Sequence, residues 1–233
     1  MKNTVVIIPA RAGSKRIKKK NIRLFLRKPI ISFPIKTAID SKIFSKIIVS
    51  TDSKKIGNIG KKCGASEVIY RPRHLSNDMA GTMGVIKHAI NYLEERNFNF
   101  DYVCCLYPVS VLIKPLDLIE SYNLMLKNKY NFIFSSLKYS HPIQRGFVLK
   151  KNKIKFFGKK GPLAKRTQDI SETYHDAGQF YWGKKENWKK LRSILSNDCG
   201  HYPMPDNRSV DIDNPSDWLK AEALYSYYFK KNK

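Results

Sequence analysis

No apolar run in this chain approaches the roughly 20 residues that a membrane span needs, and Met1 leads directly into an apolar strand pattern with no signal peptide before it. The expected location is the cytoplasm. Cysteine is sparse: Cys63, Cys104, Cys105 and Cys199 lack metal-ligand spacing. The adjacent pair sits in an apolar run, the pattern of buried reduced thiols rather than of a zinc site. Acidic residues are few, 19 against 44 Lys and Arg, and the formal charge of +25 invites nucleic acid as a partner. The details argue against that partner. Lysine makes up 33 of the basic residues and Asn stands at 16, a bias that an AT-rich coding sequence produces unaided. No zinc-finger, KH or RRM signature is present, and the aromatics lie mostly in apolar runs where a core uses them. Disorder is excluded by 42% hydrophobic and 12% aromatic residues. There are no internal repeats, and 233 residues suffice for one full core.

What the chain does contain is an alternation of strand and helix patterns, which predicts an α/β protein with a mostly parallel sheet and helices on both faces. Strands are expected at Val5–Ile8, Lys46–Thr51, Ser66–Tyr70, Tyr102–Leu106, Phe132–Ser136 and Gln179–Trp182. Helices are expected from about Ile30 to Asp40, with Pro34 forcing a late start or a bend, and at Ser53–Cys63, Thr82–Arg96, Leu116–Leu126, Lys185–Ile194 and Pro215–Tyr228. Gly64 ends the second of these and Asn214 caps the last. Residues 138 to 176 break the rhythm with Pro, Gly and many lysines, and the alternations Phe147–Leu149 and Ile154–Phe157 suit a hairpin arm. The division expected is a single domain, 1–233, with this excursion as a flexible surface or a dimerisation arm.

The most informative segment runs from Ile7 to Asn21, where a buried strand opens into small residues and cations at the edge where open sheets place ligands. Ala10, Ala12 and Gly13 let backbone approach phosphate oxygens, with Ser14 beside them, and Arg11, Lys15 and Lys20 can neutralise the charge. The loop is not a Walker A motif, because Arg16 follows Lys15 where Ser or Thr should stand, and it is not GxGxxG. Val49-Ser50-Thr51-Asp52-Ser53 ends the second strand with a polar tip. Asp52 by itself reads as a helix cap. Asp211-Ile212-Asp213 is sharper: in an extended segment both carboxylates face one side while Ile212 anchors the other. Such a pair repels unless a cation joins it, and Mg²⁺ takes one or two carboxylates plus phosphate oxygens. Arg71 through Asp78 reads as a loop, and Leu106-Tyr107-Pro108-Val109-Ser110 ends a strand at the same sheet edge. Tyr174 through Trp182 combines donors, acceptors and aromatic faces and suits a polyhydroxylated ligand. His175-Asp176 is no triad, because adjacent strand residues point apart.

Taken together, Pro9-Ala10-Arg11, Gly13-Ser14-Lys15, Lys20-Asn21, Val49 to Asp52, Arg71-Pro72, Tyr107-Pro108 with Ser110, and Asp211 to Asp213 resemble the cytidylyltransferases that activate nonulosonic acids, in order over essentially the whole chain. Cys104 to Pro108, His141 to Arg145 and Tyr174 to Trp182 resemble the pseudaminic acid branch more than the N-acetylneuraminate branch. The latter has Gln, Arg and Asn where this chain has Tyr107, His175 and Ala177. The chain departs from the pattern at Pro34, Val109 and Val111.

The resemblance implies a three-layer, mostly parallel sheet of the nucleotide-diphospho-sugar transferase (Rossmann-like) type and a homodimer. It also implies CTP and an acidic nine-carbon sugar as substrates, Mg²⁺ on Asp211 and Asp213, and no nucleic acid or membrane partner. Arg11, Lys20, Asp211 and Asp213 are then catalytic. Ala10, Arg11, Gly13, Ser14, Lys15, Asn21, Arg71, Pro108 and Ser110 hold the nucleotide. Tyr107, Gln144, Arg166, His175, Gln179 and Tyr181 are candidates for the sugar. The same chemistry on N-acetylneuraminate, legionaminate or 3-deoxy-octulosonate is the nearest alternative. A basic RNA-binding protein on a degenerate nucleotide-binding fold is a different class, against which both Asp211 and Asp213 stand.

Overall fold

The computed structural model describes residues 3–76, 81–156, 166–190 and 193–229. Its strands are β1 (Thr4–Pro9), β2 (Leu24–Phe25), β3 (Lys28–Pro29), β4 (Lys46–Thr51), β5 (Glu67–Tyr70), β6 (Tyr102–Leu106), β7 (Phe132–Lys138), β8 (Phe147–Lys150), β9 (Lys153–Phe156), β10 (Tyr174–Lys184) and β11 (Gly200–Pro203). The helices are α1 (Ser32–Ser41), α2 (Lys54–Lys62), α3 (Thr82–Glu94), α4 (Pro115–Asn128), α5 (Lys185–Lys189) and α6 (Pro215–Phe229). Seven strands form one sheet in the order β5-β4-β1-β6-β10-β7-β11. All neighbours are parallel except β10, which is antiparallel to both β6 and β7.

Alternation along β1 explains the two cores. Val6, Ile8 and Ala10 face one cluster, joined by Ile35 and Ala38 of α1, Ile56 of α2 and Leu118 and Met125 of α4. Val5 and Ile7 face the other, with Ile86, Ala89, Ile90 and Leu93 of α3 and Trp188 of α5. A third cluster matters most for the site. Ile17 from the loop after β1, Phe25 of β2, Ile212 and Trp218 of α6 pack together, with Phe25 edge-on to Trp218 at 5.7 Å. The all-free cysteines include Cys104 and Cys105, both fully buried. Among the described residues no helix is long and apolar enough to cross a membrane.

Local rules account for several element ends. Ser53 Oγ accepts from Ile56 N at the start of α2, and Gly64 takes φ +103 after it. Pro34 lies in the first turn of α1, where its missing N–H removes no helical bond; the helix starts late rather than bending. Asn214 Oδ1 accepts from Ser216 N and Asp217 N while Asp217 returns a carboxylate to Asn214 N, a reciprocal cap on α6. The β8–β9 hairpin turns at Lys151 and Asn152, with φ +49 and +60. Residues 157–165 of the excursion lie outside the described residues.

Three expectations need correction. The helix expected over Lys185–Ile194 stops at Lys189. The strand expected over Gln179–Trp182 extends from Tyr174 to Lys184 because its polar first half pairs with β7. β11 has no counterpart among the expected strands and exists through pairing with the edge of β7.

Candidate active site

The carboxyl ends of β1 and β6 and the loops after them open onto a cleft of about 340 Å³, where parallel sheets place ligands. Arg11, Ser14, Lys15, Arg16, Lys20, Asn21, Arg71, Thr82, Tyr107, Pro108, Asp211 and Asp213 all contribute to its walls. The loop after β1 is tied at three points: Ala10 N donates to Ser50 O at 2.8 Å, Ala12 N to Asp52 Oδ1 at 2.8 Å, and Asn21 Nδ2 to Arg11 O at 2.9 Å. Asp52 thus holds the loop, and the cap of α2 is Ser53 instead. Ala10 is fully buried behind the cleft. At Gly13 an added Cβ would meet nothing within 4 Å among the described residues, so packing does not require a glycine there.

Arg71 enters from the end of β5. Burial lowers its pKa most, with Arg11 acting in the same direction and Asp52 against it. Nη1 makes a long 3.4 Å bond to Leu75 O, while the buried Nε and Nη2 have no hydrogen-bond partner among the described residues. Buried donors of this kind call for an acceptor. Asn77 and Asp78, at the end of the expected loop, lie outside the described residues.

Opposite the cations stand Asp211 and Asp213, separated by the fully buried Ile212. Desolvation, and next the like charge of Asp213, hold the Asp211 carboxyl above the usual carboxylate range, with Lys20 opposing. Asp213 is neutralised by Arg16 Nη1 at 2.9 Å and Lys20 Nζ at 3.2 Å, and Lys20 also donates to Ile212 O at 2.7 Å. Two adjacent carboxylates, one with its charge disfavoured by the other, fit a divalent cation that takes its remaining ligands from phosphate. Arg16, which the sequence marks only as part of the loop motif, joins the site through this pairing. Its pairing to Asp213 depends on Ile17 and Ile212 meeting in the third cluster.

The candidate sugar residues separate. Tyr107 lines the cleft, its hydroxyl 3.0 Å from Thr82 Oγ1, and burial pushes its pKa up to about 12. Tyr181 packs edge-on to it at 5.5 Å and donates to Asp176 Oδ2 at 2.7 Å. On the far side, Phe134, Tyr174, His175, Asp176, Cys199 and His201 border a second cavity of about 500 Å³. Gln179 lines neither: it is 1% exposed, and its Nε2 is used on Ala177 O and Val210 O at 2.9 and 3.2 Å, which makes it a tie between β10 and the carboxylate segment. Ser110 is likewise buried, donating to Gln179 O at 2.9 Å. Gln144 donates to Ser171 O at 3.3 Å within the excursion, and Arg166 is exposed there; neither borders the cleft or the second cavity.

Cations facing paired carboxylates across one cleft at the carboxyl ends of the strands suit transfer of a nucleotidyl group, the chemistry of an α/β nucleotidyltransferase. The chain belongs to the cytidylyltransferase family, whose model matches residues 5–227. It is 37% identical over 225 residues to the pseudaminic acid cytidylyltransferase of Campylobacter jejuni subsp. jejuni serotype O:2, covering 97% of each protein. It is 28% identical over 231 residues to the N-acylneuraminate cytidylyltransferase of Escherichia coli O18:K1:H7, covering 98% of this chain and 53% of that protein. The structure of CMP:2-keto-3-deoxy-manno-octonic acid synthetase complexed with CTP shares the fold, with a TM-score of 0.70 at 17% identity over 96% of this chain and 98% of that one.

Proposed function

We propose that this enzyme transfers CMP from CTP to the anomeric hydroxyl of pseudaminic acid, releasing pyrophosphate. The observation that carries the reading is the single cleft in which Arg11, Lys15, Lys20 and Arg71 face Asp211 and Asp213, in a chain 37% identical over its length to an enzyme named for that sugar. Cytosine and ribose lie against Arg71, Asn21 and the turn at Pro108, with the triphosphate over the loop from Arg11 to Lys20. The sugar enters past Tyr107 toward the second cavity. Its hydroxyl oxygen forms a bond to the α-phosphorus as the α–β bridging bond breaks, and the hydroxyl proton is lost to solvent. Lys20, beside the carboxylates, meets charge that grows at the α-phosphate, and Arg11 and Lys15 hold the departing pyrophosphate. Asp211 and Asp213 would hold Mg²⁺, which supplies charge neutralisation and lowers the pKa of the attacking hydroxyl. The reaction belongs in the cytoplasm, where CTP is made.

The excursion between β7 and β10 supports a homodimer: every residue of β8 and β9 is exposed, including Phe147, Leu149, Ile154 and Phe156, and apolar surface of that kind fits a second copy.

Pyrophosphate release from CTP, with and without Mg²⁺, tests the reading against pseudaminic, N-acetylneuraminic, legionaminic and 3-deoxy-octulosonic acids. Tyr107 in the cleft and His175 at the second cavity favour aromatic contact over hydrogen bonds to a glycerol tail, whereas Ala177 is buried behind them. The expected specificity constant for pseudaminic acid is at least about tenfold above N-acetylneuraminate, or about 1.4 kcal/mol. Equal or reversed constants refute the sugar, and no release with any acceptor refutes the reaction.

A further inference from the structure

Between the cleft and the second cavity, β10 leaves regular pairing. Its register against β7 shifts between Asp176 and Tyr181, and Gly178 within that interval takes φ +61, a region that favours glycine. The irregular stretch abuts the carboxylates: a Cβ on Gly178 would stand 3.6 Å from Asp211 Oδ2, and Gln179 grips the carbonyl of Val210, one residue before Asp211. Asp176 ties the stretch together, Oδ1 accepting from Gly178 N at 2.8 Å and Oδ2 from the Tyr181 hydroxyl at 2.7 Å. Burial foremost keeps the Tyr181 phenol protonated, so that bond has a fixed direction. Tyr181 in turn backs the Tyr107 ring, whose hydroxyl meets Thr82 in the cleft wall. Among the described residues Asp176 makes no ion pair, and both of its oxygens accept hydrogen bonds from β10 itself.

We propose that Asp176 is a positioning residue for the transfer step: it fixes the β10 bulge that sets Asp211 from one side and, through Tyr181, the Tyr107 ring standing between nucleotide and acceptor. The inference rests on the function proposed above, since it takes pseudaminic acid as the acceptor. A reacting geometry disturbed by about 1 Å can cost roughly a hundredfold in rate, whereas a purely structural Asp176 would lower stability and leave turnover of the folded protein unchanged.

The test uses the full chain with Mg²⁺, measuring kcat and both KM values by pyrophosphate release, well below each variant's melting temperature. Asp176→Ala should lose about tenfold or more in kcat while the KM for CTP stays within about twofold. Asp176→Asn, whose carbonyl still accepts from Gly178 N, should recover at least about threefold of that loss. Tyr181→Phe should raise the KM for the sugar more than that for CTP. Wild-type kcat in Asp176→Ala overturns the proposal. If that variant does not fold, wild-type constants in both Asp176→Asn and Tyr181→Phe do the same. A wild-type protein that is inactive on pseudaminic acid overturns the substrate reading itself, an outcome distinct from an active wild type with an unaffected variant.

Discussion

Replacing Arg208 with Met is expected to cost about 3 kcal/mol of folding stability. The guanidinium grips Asp117 through both oxygens, Nη1 to Oδ2 at 2.7 Å and Nη2 to Oδ1 at 2.9 Å, with the two side chains only 13% and 4% exposed. Removing one partner of a buried pair strands the other, typically at about 3–5 kcal/mol. Two features moderate the loss. Asp117 sits in the first turn of α4, where the helix dipole favours an anion by about 0.3–1 kcal/mol, and it still accepts from Lys114 N at 2.7 Å. The lower end of the range is therefore expected. For a domain of this size that is a fall in melting temperature of about 6–12 °C, read alongside urea unfolding of the full chain. The double variant Arg208→Met with Asp117→Asn removes the stranded charge and keeps an oxygen for Lys114 N, and should recover about 1–2 kcal/mol. A loss under about 1 kcal/mol in the single variant, or no recovery in the double, refutes the reasoning.

Asp211→Asn and Asp213→Asn should each lower turnover by roughly a hundredfold or more, and Asp211→Asn should do so without lowering the melting temperature, because burial and Asp213 already disfavour its charge; near-full Mg²⁺-dependent activity in both sinks the metal assignment. Lys20→Ala should reduce kcat more than it raises the KM for CTP, and Arg11→Ala should change both; a raised KM with unchanged kcat for Lys20→Ala would show that it only anchors substrate. Hydrogen bonds from Lys189 and Lys185 hold the Glu94 carboxyl below the usual carboxylate range. Its stabilisation is then present above the ordinary carboxylate pKa and lost as pH falls through the lowered value. Glu94→Gln should cost about 0.5–1 kcal/mol at neutral pH for this partly exposed cluster, a difference that shrinks below about pH 4. A constant difference across that range argues against it.

The parts legible in the sequence are those set by neighbours in the chain. β4 announces itself as a β-branched run, and α2 by Gly64 after it, although the cap is Ser53 and not Asp52, whose carboxylate goes to the loop after β1. Gly200-His201-Tyr202-Pro203 carries no strand signal of its own; the open edge of β7 makes it one. The polar half of β10 reads as a ligand-facing segment ahead of the strand for the same reason. At the site, the loop cations and the paired carboxylates could be named from spacing, but not their meeting: Lys20 and Asp213 stand 193 positions apart. Gln179 shows the converse, an amide whose chemistry suits a sugar but whose core position commits it to backbone carbonyls.

The reversed direction of β10 has a topological consequence. β7 runs toward the ligand edge of the sheet and ends at Lys138, directly across from Tyr174, where β10 begins. Residues 139 to 173 must therefore leave and return at that one rim, like a handle fixed at both ends to the lip of a cup. Had β10 run parallel to its neighbours, the same insertion would have had to travel the length of the sheet, about 35 Å for a strand of 11 residues, before rejoining it at the opposite rim. With the strand reversed, growth or shrinkage of the insertion leaves the central strands untouched and alters only the surface at that rim. A lineage could thus lengthen or trim one surface segment without disturbing the strands that carry the cleft.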